Sequence, residues 1–103
     1  MNANLKLDMY VNGKEYAISE APVSNDGFES ILNSSAVINP QIANDLRSDG
    51  AAKITADMLS ENMLNVLWDI TNKEIVVTDE INFCMCIWNN GEHIQSLVSI
   101  DQI

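Results

Sequence analysis

The stretch INFCMCIWNNGEHIQSLVSI, running from Ile81 to Ile100, decides how the chain is read. It holds two apolar-rich runs joined by Asn90-Gly91, the dipeptide best suited to a two-residue β-turn with positive φ at both positions. A turn of that length sets Trp88 opposite His93, Ile87 opposite Ile94, Met85 opposite Ser96 and Phe83 opposite Val98, because directly opposed residues share one side of a sheet. One face then carries Ile81, Phe83, Met85, Ile87, Ile94, Val98 and Ile100, broken only by Ser96, and such a face requires a cover. The other face carries Cys84, Cys86, Trp88 and His93.

The N-terminus repeats the pattern. Leu5, Leu7, Met9 and Val11 alternate with Lys6, Asp8, Tyr10 and Asn12, the period of a half-buried strand. Asn12-Gly13 supplies a second hairpin turn, with Met9 opposite Tyr16 and Leu7 opposite Ile18. The buried face expected here is Leu5, Leu7, Met9, Val11, Tyr16 and Ile18, and Pro22 ends the second strand.

Between the hairpins the apolar period changes to that of a helix. Asp26 followed by Glu29 resembles a capping box, and Phe28, Ile31 and Leu32 share a helix face before Asn33-Ser34-Ser35 interrupts. Asn39-Pro40 is a helix start and Gly50 a stop, predicting a second helix from about Pro40 to Ser48 with Ile42, Ala43 and Leu46 inward. From Thr55 onward two patterns compete. A helix from Thr55 to about Val66, or on to Ile70, aligns Met58, Leu59, Met63, Val66, Leu67 and Ile70. A strand would instead alternate Leu64, Val66, Trp68 and Ile70. The helix is preferred, and the β-branched run from Ile75 to Thr78 reads as a strand. The expected fold is α+β, a single domain over residues 1–103. One antiparallel sheet, made of an N-terminal hairpin and a C-terminal three-stranded meander, is covered by two or three short helices in the order ββαααβββ.

Charge narrows the choice of function. The chain has 15 Asp and Glu against 5 Lys and Arg, a formal net charge of −10. The bases Lys6, Lys14, Arg47, Lys53 and Lys73 are scattered, so no patch exists to hold a phosphate backbone and direct nucleic-acid binding is not expected. No apolar run reaches the length of a membrane span and no leader pattern opens the chain, which points to the cytoplasm. From Ile54 onward eight acids stand against Lys73 alone, a bias that favours encounter with a basic protein.

Chemical motifs are sparse. Cys84, Cys86 and His93 share a face and could hold zinc, but no fourth ligand is evident and the C-x-x-C spacing of a structural zinc site is missing, so no metal or cofactor is expected. A disulfide between side chains that run parallel at i and i+2 would be strained, so the thiols are expected free and to act as small hydrophobes. His93 has no nucleophile pattern around it, and the pair Asp79-Glu80 reads as solvated turn residues, so no catalytic set is expected. What remains is recognition through the surface. The expected contact residues are Asp69, Glu74, Asp79, Glu80, Trp88, Glu92 and His93, with Asp57, Glu61, Tyr10 and Trp68 as further candidates. The function expected is that of a small acidic inhibitor that blocks a basic, nucleic-acid-handling or toxin protein by occupancy, as phage inhibitors and immunity proteins do. The rival expectation is a self-associating assembly subunit, for instance a homodimer.

Overall fold

A computed structural model describes residues 3–96. Strands β1 (Ala3–Val11) and β2 (Lys14–Pro22) form the first hairpin, with φ of 51° at Asn12 and 85° at Gly13. These are the left-handed conformations that a tight hairpin turn demands and that Asn-Gly adopts at low cost. Met9 faces Tyr16 as expected, but a bulge follows, so Leu7 faces Ser19 and Ile18 becomes the extra residue.

The second hairpin departs in the same way. Strands β4 (Ile81–Asn89) and β5 (Glu92–Ser96) turn at Asn90 and Gly91, with φ of 53° and 80°. Trp88 faces His93, yet the register then slips by one, pairing Ile87 with Gln95 and Cys86 with Ser96. The expected pairs Ile87–Ile94 and Met85–Ser96 are therefore overturned. Ile94 is the bulged residue and is 53% exposed instead of lying in the core. Val98 and Ile100 lie outside the described residues.

All nine residues of β4 pair antiparallel with β1, which puts Asp8 opposite Cys84 and Lys6 opposite Cys86. The far edge of β4 is shared. Strand β3 (Ala51–Ile54) pairs with Ile81 to Cys84, and β5 with Cys86 to Asn89. The result is a single five-stranded antiparallel sheet, β2-β1-β4-β3 with β5 also on β4, accompanied by three α-helices. The α+β class holds, but the third strand in chain order precedes the last helix.

That strand is not the expected one. Ile75 to Thr78 forms no strand because Asp79 closes the segment into a turn: Val76 N–H donates to its carboxylate at 2.8 Å and Asp79 N–H donates to the Val76 carbonyl at 2.9 Å. Ala51-Ala52-Lys53-Ile54 has little strand propensity of its own and is ordered by the edge of β4, burying Ala52 and Ile54.

Helix α1 (Asn25–Ile38) starts two residues earlier than the capping-box reading suggests, with Ser24 Oγ accepting from Gly27 N–H at 3.0 Å. It also runs through the expected break at Asn33-Ser34-Ser35, where the two serine hydroxyls donate back to the Ser30 and Leu32 carbonyls. Helix α2 (Pro40–Asp49) follows at once, capped by Asn39 Oδ1 on Gln41 N–H at 2.8 Å and stopped by Gly50 at φ 71°. Thr55 does not open the third helix. A 3₁₀ turn over Ala56–Met58 comes first, and α3 (Glu61–Thr71) is capped by Ser60 Oγ on Met63 N–H at 3.1 Å. It ends at Asn72, φ 58°, so the strand alternative for residues 64–70 is excluded.

One core results. Leu5, Leu7, Met9 and Val11 of β1 and Ile81, Phe83 and Met85 of β4 meet Phe28, Ile31 and Leu32 of α1, Ile42 and Leu46 of α2, and Leu67 of α3. The opposite side of the two central strands presents Lys6, Asp8 and Tyr10 beside Cys84, Cys86 and Trp88.

Candidate functional site

Two regions hold the residues that the sequence singles out. The first is the side of the sheet turned away from the helices. Alternation along β4 puts Cys84 and Cys86 on that side, and pairing with β1 adds Asp8 directly across from Cys84. The sulfurs lie 3.1 Å apart, and Cys86 is fully buried whereas Cys84 is half-buried. Both are free thiols, facing away from the helix-side core rather than filling it.

The bulge at Ile94 shapes the rest of the cluster. It brings Ser96 beside Cys86, with Oγ 3.7 Å from Sγ, and His93 Nε2 lies 3.4 Å from the same hydroxyl. Trp88 meets the His93 ring edge-on at 5.6 Å between centroids, and its indole N–H donates to Asp8 Oδ2 at 3.2 Å. Lys6 Nζ sits over the Trp88 ring at 4.7 Å, a cation–π contact. Asp8 is thereby sealed from water, and its Oδ1 has no hydrogen-bond partner among the described residues.

The two thiols behave as a unit. The Cys84 thiol donates to the Cys86 sulfur, which lowers the pKa of Cys86 and holds the proton of Cys84; Ser96 and His93 lower Cys86 further. Tyr10, on the same side, is pushed up by burial, by the Cys84 sulfur and by the carboxylates of Glu15 and Asp8, so its hydroxyl remains a donor.

The second region is α3 with the loop to β4. The helix buries Leu67 and Thr71 and half-buries Met63 and Leu64, leaving Val66, Trp68 and Ile70 exposed on its flanks. Val76 and Val77 are exposed in the loop. Asp69, Glu74 and Glu80 are exposed in the same segment. The base of this segment, Lys73, is neutralised by Asp79 at 2.8 Å.

Asp79 itself is largely buried. It is 8% exposed, and its carboxylate accepts from Lys73, Val76 N–H and Asn12 Nδ2. Asn12 also exchanges bonds with the Glu80 backbone, so this carboxylate ties the α3–β4 loop to the β1–β2 turn. These bonds hold its pKa at about 2, with Lys73 the largest cause.

The expected contact set is therefore split. Glu80 precedes β4 and Glu92 follows its turn, so the nine residues of the strand separate them by roughly 25–30 Å. Asp69, Glu74 and Glu80 belong to the α3 side, while Trp88, Glu92 and His93 belong to the thiol end. The sequence reading missed Asp8 as a neighbour of the thiols; its place among polar residues on the outer side of β1 was legible, but not the strand that pairs with it. No helix among the described residues is long and apolar enough to cross a membrane. No protein-family model, curated protein or solved structure matches the chain.

Proposed function

We propose that the protein acts by occupancy, binding a basic protein in the cytoplasm and blocking its working surface, as inhibitors of nucleic-acid-handling enzymes and immunity proteins against toxins do. The observation that carries this reading is the α3 surface. Trp68, 48% exposed, lies on one flank of α3 and Val66 and Ile70 on the other, Val76 and Val77 are exposed in the loop that follows, and Asp69, Glu74 and Glu80 are exposed in the same segment, in a chain of net charge −10. An exposed tryptophan supplies an anchor, and acids supply steering and register toward a positive surface.

The experiment is capture from native cell extract by the wild-type chain, by Trp68→Ala and by the triple reversal Asp69→Lys, Glu74→Lys, Glu80→Lys. A basic protein held by the wild type, lost from both variants and released early by salt is the expected result. Equal capture by wild type and variants would refute the reading. A self-associating subunit is the second reading, favoured by β5, whose five residues are all exposed at the sheet edge. Sedimentation as a monomer at roughly tens of micromolar would remove it, since a stable symmetric oligomer would persist there.

A further inference from the structure

The thiol side of the sheet carries an inference independent of the α3 surface. One donor atom each from Asp8, Cys84 and Cys86 lies within 4.8 Å of the others, two sulfurs and a carboxylate oxygen drawn from adjacent strands. That donor set suits a borderline-soft ion better than magnesium or calcium, which prefer all-oxygen sites. The second observation is Asp8. It is fully buried, yet Oδ1 has no hydrogen-bond partner among the described residues, and a buried carboxylate oxygen left so calls for a cation or a donor. The Trp88 indole N–H on Oδ2 is the kind of outer partner that orients a ligating carboxylate.

We propose that Asp8, Cys84 and Cys86 form a binding site for a thiophilic divalent cation of the zinc class. The sulfurs, 3.1 Å apart, open only to about 3.8 Å, the spacing of two thiolates on a tetrahedral ion with metal–sulfur bonds of about 2.3 Å. Binding expels both thiol protons to water and leaves two thiolates and the Asp8 carboxylate on the ion. The fourth position falls to water or to His93, which flanks Cys86 through Ser96. Because both thiols and the carboxylate sit on paired central strands, the site is held by backbone rather than by a loop, and an ion there clamps β1 to β4.

The test is titration of the reduced full-length chain with cobalt(II), followed by displacement with zinc(II). One equivalent of cobalt giving thiolate charge-transfer and tetrahedral visible bands, abolished by zinc, is the expected result. Asp8→Asn should keep the charge-transfer band and weaken binding by at least the roughly 10–100-fold that loss of an outer partner of a ligand costs. Cys84→Ser, at a half-buried position that tolerates the smaller atom, should halve the band and weaken binding at least as much. Zinc should also raise the thermal midpoint of the wild type by more than that of Cys84→Ser. No charge-transfer band, or binding unchanged in Cys84→Ser, would overturn the proposal.

Discussion

Replacing Asp79 by Asn tests the loop that displaced an expected strand. The substitution keeps the shape and one acceptor oxygen but removes the charge that draws in Lys73 Nζ, Val76 N–H and Asn12 Nδ2, each at 2.8 Å. The carboxyl pKa falls from the ordinary value of 3.8 to about 2 on folding, and each unit of such a shift corresponds to about 1.4 kcal/mol. With Lys73 still 40% exposed and partly screened, the ionised carboxylate is worth about 2 kcal/mol to the folded state. The sign follows from the direction of the shift. A depressed folded-state pKa gives stability that is fully present above the unfolded pKa near 4 and lost as pH falls through about 2. Urea unfolding of both proteins across that range supplies the assay. The wild type should exceed Asp79→Asn by about 2 kcal/mol at neutral pH, and the gap should close between about pH 4 and 2. Taking the difference removes the titration of the other carboxylates, which both proteins share. A gap that is absent at neutral pH, or constant across the range, would refute the assignment.

Further outcomes follow from single contacts. Gly27→Ala should destabilise by about 2 kcal/mol or more, read as a drop in thermal midpoint, because a Cβ there would run into the Pro22 carbonyl at the β2–α1 junction. Ser24→Ala should cost about 1 kcal/mol in urea unfolding by removing the cap of α1. Thiolate absorbance against pH should show one thiol ionising below the ordinary range and the other above it, and Cys84→Ala should raise the lower midpoint, since the Cys86 thiolate then loses its donor. Trp68→Ala should change stability by about 1 kcal/mol or less while abolishing partner capture, separating the α3 surface from the fold.

The legible parts of the fold are those fixed by local chemistry. Asn12-Gly13 and Asn90-Gly91 specify their turns because few other dipeptides tolerate two positive φ angles in a row, and Asn39-Pro40 and Gly50 bound α2 for similar reasons. Each hairpin contains one bulge that no residue type announces, so Ile18 and Ile94 were placed one register off. The β-branched run before Asp79 has strand propensity, but three hydrogen bonds to one carboxylate override it. Ala51 to Ile54 errs the other way, because its order comes from β4 and not from its own side chains. The candidate cluster divides along the same line. Spacing alone places Cys84 and Cys86 together, whereas Asp8 joins them only through pairing with a strand more than 70 residues away, which periodicity does not encode.

The pairing of β1 with β4 has a kinetic consequence. The central contact of the sheet joins β1 to a strand that begins at Ile81, so the loop to be closed spans about 70 residues. The β1–β2 hairpin and the α1–α2 pair have neighbouring partners and can form early, but the edge of β1 stays unpaired until the C-terminal hairpin arrives. On a ribosome β4 emerges about 70 residues after β1, and until then Leu5, Leu7 and Met9 lie on a strand with one edge unpaired. Folding should therefore be limited by this one docking event, and its intermediate should be the state in which the chain is most open to edge-to-edge association with a second copy.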